Sequence, residues 1–407
     1  MMFWLVVGYL FLFIFRPYEY WPILGTLHIE RIYMIFLLVA VMTWKDKRYI
    51  PHPINSSVLT FVSAMLISAL FALSWTDAYA RLYTYMTLII FYFIIILTIR
   101  DEEDLKKFII AYIVIMLLYV GKSSWEFFIN DRHEWRMGVR RMVGIDTTYG
   151  DANAFGASIA YSLPFLWALI KTKIENPKIR KMLWTYAAIA LSCIIFTGSR
   201  SSMVTMLLFF ILTWLGTSKK LLVAIIMLLS LIIAWHGMPD MYQQRFLTIF
   251  KPEINTEQSA QGRILTLKEG VAMFKSNPIL GVGPGNFSRG SAQLISSSGL
   301  SSHNLYGSLL GEMGLIGVFS FSFLVITIVA THWSIIKRLK KINLPGSGFL
   351  TSVSIASIHT IIMLLFNGNF GANLYRYNWL WIGAIGVLSS YFIEQKKDCY
   401  RQKLTDV

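Results

Sequence analysis

The sequence predicts an all-α polytopic membrane protein with about twelve transmembrane helices and one large extramembrane loop. Three observations carry this prediction. Of 407 residues, 56% are hydrophobic and only 14% charged, with mean hydropathy +0.57, whereas a soluble domain carries about 25% charge. Apolar runs long enough to cross a bilayer, roughly 18 residues or more, recur along the whole chain. Lysine and arginine are unevenly shared between alternate loops. A spanning backbone must satisfy its own polar groups, so the unbroken runs mean helices.

The predicted spans lie near 1–15, 28–44, 56–74, 79–99, 105–121, 153–170, 183–198, 201–216, 220–235, 308–336, 349–366 and 378–394. Met1–Phe15 lacks a basic start and a small-residue cleavage site, so it reads as the first span rather than a signal peptide. With the N-terminus in the cytoplasm, the inner loops carry Lys45, Lys47, Arg48, Arg100, Lys106, Lys107, the run from Lys171 to Lys181, Lys219, Lys220, Lys337–Lys341 and the tail from Lys396. Those loops hold 21 of the 37 Lys and Arg residues, as the positive-inside rule expects, and both termini are then cytoplasmic. The chain divides into helices 1–9 over residues 1–235, an outer loop with short helices over 236–302, helices 10–12 over 303–394 and a cytoplasmic tail, 395–407. The net charge of +15 therefore reports topology, and no nucleic-acid partner is expected.

The two sides differ in kind. The inner set is 16 Lys and 5 Arg, the other 4 Lys and 12 Arg. Lysine beside an anionic leaflet needs only to be a solvated charge. Arginine binds phosphate bidentately and keeps its charge when partly desolvated. Either the arginines are scattered by chance or the outer face binds an anion. Two outer segments are long. Gly121–Ala152 carries Arg132, Arg136, Arg140 and Arg141 and ends in the polar run Asp146–Asn153; residues 236–302 contain a helical pattern over Gly262–Phe274, broken at Asn277-Pro278.

His303 stands where that loop turns into an apolar helix, with Ser301, Ser302 and Asn304 as N-cap candidates. Histidine is a natural base near neutral pH, although a lone histidine is also commonly structural. On a straight helix His303, Gly307, Gly311 and Gly314 share one face, a small-residue stripe that admits a close neighbour. Glu312 then falls on the opposite face, and a His303–Glu312 pair is not expected unless the helix breaks. Glu312 reads either as a functional group or as a buried, hydrogen-bonded one. Arg200 lies in a very short turn between two spans, where a charge is costly; it either serves the site or snorkels to headgroups. Arg263 opens the loop helix. The cluster Gly281-Val282-Gly283-Pro284-Gly285 has no preceding strand and is not a dinucleotide fingerprint; it supplies tight turns or an anion-approaching backbone. Cys193 and Cys399 have no metal- or redox-motif neighbours. Asp146, Asp151, Asp240, Glu253, Glu257 and Glu269 form no DxD or paired-carboxylate metal pattern, and neither a Walker motif nor a Ser–His–Asp arrangement is recognisable.

The second half of the chain resembles the O-antigen ligase/polymerase superfamily. The resemblance rests on Thr197-Gly198-Ser199-Arg200-Ser201, Gly262-Arg263, Asn277 to Phe287, and Ser302-His303-Asn304 followed by Glu312-Met313-Gly314-Leu315-Ile316-Gly317, in that order. Upstream, Tyr149-Gly150-Asp151-Ala152-Asn153 resembles an Asp/Asn element of the family. The resemblance implies a GT-C-type glycosyltransferase at the periplasmic face of a bacterial inner membrane. It implies a glycan donor on undecaprenyl diphosphate, and lipid A–core, a glycan or a protein as acceptor. A ligase acting on lipid A–core is the leading expectation, with a polysaccharide polymerase or protein O-glycosylation as alternatives, and no metal or other cofactor is expected. His303 matches the family's essential histidine and Arg200 and Arg263 its diphosphate-gripping arginines, with Arg140 and Arg141 as further phosphate contacts and Asp151, Asn153, Asn304 and Glu312 in support. A transporter of a lipid-linked anion is the rival from another class, but a transporter is expected to show an internal repeat, and none is visible here.

Overall fold

A computed structural model describes residues 1–136, 138–145, 150–172, 174–218, 220–247, 257–295, 299–342 and 348–405. Asp146, Thr147, Thr148 and Tyr149 of the polar run, and Glu253, lie outside the described residues. In chain order the helices are α1 (Met2–Phe15), α2 (Pro22–Thr26), α3 (Ile29–Thr43), α4 (Pro53–Leu70), α5 (Trp75–Thr98), α6 (Glu102–Phe128), α7 (Ala152–Lys171), α8 (Pro177–Phe196), α9 (Arg200–Leu215), α10 (Lys220–Gly237), α11 (Asp240–Leu247), α12 (Glu257–Ser276), α13 (Phe287–Leu294), α14 (Leu305–Ile342), α15 (Gly348–Asn367) and α16 (Asn378–Thr405). A helix stands at each of the twelve expected segments. Among the described residues, eight are long and apolar enough to cross a membrane, which makes this a multi-pass membrane protein. α3 and α9, with 15 and 16 residues, are shorter than the roughly 20 residues that span a bilayer without help.

The fold is not purely helical. β1 (Glu134–Arg136) and β2 (Val139–Arg141) form an antiparallel hairpin, with Gly138 at φ 72° in its turn. Three-residue strands containing three arginines carry too few β-formers to announce themselves.

Polar residues set where the helices begin. Side chains of Ser74, Asp101, Asp151, Asn176 and Ser199 each accept from a backbone N–H in the first turn of α5, α6, α7, α8 and α9, which satisfies donors that the helix cannot. Asn304 caps α14: its Oδ1 accepts from Tyr306 N at 2.8 Å and Gly307 N at 3.0 Å. Leu305 N also donates to Gly368 O at 2.7 Å, so the start of α14 is anchored to the end of α15.

The expected small-residue stripe on α14 is used, and the neighbour it admits is α12. A Cβ on Gly270 would lie 2.4 Å from the Gly307 carbonyl oxygen, and one on Gly307 would lie 3.0 Å from Thr266 O. The stripe stops short of Gly314, however, because the helix breaks there. Gly314 has φ 57° and ψ −153°, a conformation essentially reserved for glycine. The break frees backbone groups, and residues 278–283 satisfy them. Val282 N donates to Gly311 O at 2.9 Å and Gly283 N to Glu312 O at 2.9 Å, while Leu315 N donates to Pro278 O at 2.8 Å and Ile316 N to Ile279 O at 3.2 Å. This strap is also fastened to the α4–α5 turn: Leu73 N donates to Val282 O at 3.0 Å, and Ser68 Oγ to Leu280 O at 2.7 Å. Such a break is tolerated at membrane depth only where other backbone takes the place of the lost helix bonds.

Replacing Gly314 with Ala puts a Cβ 2.7 Å from Gly281 N and Ile279 C at a positive φ. We expect a loss of about 2 kcal/mol or more, read as a lower Tm in detergent. Gly121→Ala, where nothing lies within 4 Å, should leave Tm unchanged or raise it slightly.

Candidate active site at one end of the bundle

The hairpin, the N-termini of α7 and α9, α12 and the residues before α14 meet at one end of the bundle. Arg141 is the buried centre of this junction, 1% exposed. Its Nε donates to Thr197 O at 2.9 Å, its Nη2 to Asn153 Oδ1 at 2.8 Å and its Nη1 to Glu134 Oε2 at 3.4 Å. One guanidinium thus ties the hairpin to α7 and to the α8–α9 turn. Asn153 in turn donates to Asp151 Oδ1 at 3.2 Å, and its carbonyl accepts from Ser202 Oγ at 3.3 Å. Helix N-termini carry partial positive charge and favour anions nearby.

Strand register sorts the hairpin arginines. Glu134 pairs with Arg141, Trp135 with Arg140 and Arg136 with Val139. Cross-strand partners share a face and neighbours alternate, so Glu134, Arg136 and Arg141 point one way and Arg140 the other. Arg140 ion-pairs with Asp131 at 2.6 Å, lies 4.5 Å from the Phe127 ring centre and donates to Phe127 O. The two arginines expected to act together are therefore separated, and Arg136 takes Arg140's place beside Arg141. Sequence reasoning counts Arg136 among the outer arginines but not among the site residues; the hairpin register, not a local pattern, puts it on the face of Arg141.

Arg263 sits on α12, above Phe370 with 5.4 Å from its guanidinium carbon to the ring centre. Burial holds its pKa below the usual arginine range; the positive charges of Arg200, Arg136 and Arg141 push the same way, and Asp151 opposes them. Arg141 is held down likewise by burial, then supported by Glu134 and Asp151 and opposed by Arg136 and Arg200. Among the described residues, these four guanidiniums feel one another with Glu134 and Asp151 among them. An incoming dianion would relieve that repulsion.

His303 is exposed at the edge of this cluster, held between Ser302, whose Oγ accepts from Asn304 N at 3.3 Å, and the Asn304 cap. Burial on one side and the charges of Arg263 and Arg136 lower its pKa from the ordinary 6.5, with Asp151 raising it. The imidazole is thus kept neutral, able to accept a proton. Of the residues singled out from sequence, Arg141, Arg200, Arg263, Asp151, Asn153, His303 and Asn304 meet here. Glu312 does not: it is buried behind the strap, where its Oε2 accepts from Tyr375 Oη at 2.6 Å and Gly285 N at 2.9 Å. The glycine cluster therefore forms turns, with Gly281, Gly283 and Gly285 at φ 69°, 99° and 75°, and one of its N–H groups serves a carboxylate of the protein itself. Among the described residues no three of His, Cys, Asp and Glu come together as a metal site.

Arg141→Ala removes three hydrogen bonds and leaves Glu134 and Asn153 facing a buried gap, so it should cost about 2–4 kcal/mol and lower Tm in detergent. Arg140→Ala, whose side chain is 33% exposed, should cost clearly less.

Compared with curated proteins, the chain finds no match. Residues 185–322 match the family described as O-antigen ligase. That stretch contains Arg200, Arg263 and His303, the whole of α12 and the strap. The segment from 185 to 322, which supplies Arg200, Arg263 and His303, is thus similar to the O-antigen ligase family, in agreement with the resemblance read from the sequence.

Proposed function

We propose that this protein transfers a glycan from undecaprenyl diphosphate to an acceptor hydroxyl, at the periplasmic face of a bacterial inner membrane. The family implies a membrane glycosyltransferase of the O-antigen ligase/polymerase kind. The observation that carries the finer reading is a chain of charges: His303 feels Arg263 and Arg136, and these feel Arg200 and Arg141, residues from four separated segments of chain. Ligation to lipid A–core is the reading we adopt; extension of another glycan or of a protein-linked glycan uses the same donor chemistry, and no metal cofactor is part of the reading.

In this reaction the acceptor oxygen attacks the anomeric carbon of the donor glycan. The new C–O bond forms as the C–O bond to the diphosphate breaks, and the electron pair leaves on the diphosphate oxygen. The acceptor's proton passes to the neutral ring of His303. Negative charge builds on the leaving diphosphate, where preorganised guanidiniums stabilise the transition state more than the ground state. Asp151 holds the start of α7 and Asn153 aims Arg141; Asn304 fixes the turn that presents His303.

The test is purified protein given undecaprenyl-diphosphate glycan with lipid A–core, free glycan or protein as acceptor. We expect transfer to lipid A–core, and a fall of about 10²–10⁴-fold for His303→Ala with normal insertion, the range lost with a general base. Undiminished transfer by His303→Ala contradicts the reading.

The pH dependence follows from the charges around His303. The lowered pKa leaves the base deprotonated down to acidic pH, so kcat/KM should rise along an acid limb with a midpoint below 6.5 and stay level above it. Asp151→Asn removes a charge that favours the imidazolium and should move the midpoint further down. Arg136→Gln removes one that opposes it and should move the midpoint up. Profiles that do not shift would exclude His303 as the titrating base.

A further inference from the structure

A second polar cavity opens beside the loop that carries His303. Its volume is about 390 Å³, and Arg16, Arg81, Arg376, Tyr375 and Glu312 line it, with Ser301 and Ser302 at its edge. These residues come from the end of α1, the start of α5, the α15–α16 loop and the interior of α14, segments that are far apart in sequence. None of the three arginines belongs to the cluster around Arg141 and Arg263.

The cavity is built rather than incidental. Tyr375 donates to Glu312 Oε2 at 2.6 Å, and Gly285 N donates to the same oxygen at 2.9 Å, so the tyrosine ring is fixed in place. The Arg81 guanidinium carbon lies 5.1 Å from the centre of that ring. Arg16 has φ 51°, a left-handed conformation rare for arginine, and its Nη1 donates to Glu19 Oε1 at 2.8 Å while its Nε donates to Phe13 O at 3.2 Å. Aromatic faces next to serine hydroxyls suit sugar rings, and several guanidiniums in one wall suit carboxylate or phosphate oxygens.

We propose that this cavity binds the acceptor as an acidic saccharide, one carrying a carboxylate or phosphate group, and that this specificity rests on Arg81 with Arg16 and Arg376. The acceptor role rests on the glycan-transfer reading given above. In a displacement at the anomeric carbon the nucleophile approaches opposite to the leaving group. The diphosphate is assigned to the Arg200/Arg263 cluster, so the acceptor needs a separate approach to His303. Ser301 and Ser302, the two residues before the histidine, form the edge of the cavity and give it that approach. The acceptor's neutral hydroxyl is then delivered to His303, while its acidic group stays on the Arg81 side.

The full-length protein in detergent is titrated with a galacturonic acid trimer, a sugar phosphate, a neutral galactose trimer and inorganic pyrophosphate. We expect the two acidic sugars to bind about tenfold or more tighter than the neutral trimer, the difference made by a charge-assisted hydrogen bond or two. Arg81→Gln should erase that preference and Arg81→Lys should restore part of it, which a merely structural role would not do. Pyrophosphate affinity should fall with Arg263→Gln and not with Arg81→Gln. Equal affinity for acidic and neutral sugars, or an undiminished preference in a folded Arg81→Gln protein, overturns the proposal. So does pyrophosphate binding that follows Arg81 instead of Arg263, since the cavity would then be the diphosphate site. Glycan transfer assayed in parallel keeps the two readings apart. Transfer without acidic-sugar preference removes the cavity's role and leaves glycan transfer standing; acidic-sugar binding without any transfer removes the acceptor role together with the functional reading.

Discussion

The backbone break at Gly314 is the constraint on which the rest of this end of the molecule depends. A helix interrupted among apolar neighbours must find partners for its freed N–H and C=O groups, because no water is there to supply them. The strap 278–283 supplies them from the loop between α12 and α13. In doing so it holds that loop down against the bundle, brings α12 across the first turns of α14 and turns Gly285 N towards Glu312. The position of Arg263 on α12 relative to His303 before α14 is therefore set by how one glycine fails to be helical. A residue with a Cβ at that position would disturb the break, the strap and the helix crossing together.

Electrostatics then give this end its chemical character. Arg141 is the piece that a folded protein has most reason to avoid, a buried cation, and it is accommodated by one carbonyl, one amide and one carboxylate. The surrounding guanidiniums of Arg136, Arg200 and Arg263 raise the positive potential around it. Burial first, and the charges of Arg263 and Arg136 after it, lower the pKa of His303 and favour its neutral form. On the proposed reading, a single arrangement serves two needs of glycan transfer, a place for a departing anion and a base that is unprotonated when the acceptor arrives.

Much of this was legible in the chain. Apolar runs located the helices because membrane spans need length and little else. Asn304 was readable as a cap and Gly307 and Gly311 as a packing face, since both are local properties of a helix start. The motifs around Arg200, Arg263 and His303 were readable one by one through the family resemblance, but the sequence did not show that they converge. What was not legible depended on contacts between distant segments. The break at Gly314 is repaired by residues more than thirty positions upstream, so a straight helix was the natural expectation. Arg140 and Arg141 look alike in sequence, and only strand register sends one to Asp131 and the other to Asn153. Arg81, Tyr375 and Arg16 carry no local pattern and become a group only through the packing of α1, α5 and the α15–α16 loop.

The most direct measurement of the central claim is equilibrium binding of undecaprenyl diphosphate to the purified protein and two variants. If the arginine cluster holds the diphosphate and His303 acts on the acceptor, Arg263→Gln weakens binding about tenfold or more, the loss of a charge-assisted contact, while His303→Ala binds as the parent does. Equal binding by Arg263→Gln and the parent protein, or loss of binding with His303→Ala alone, would contradict the account.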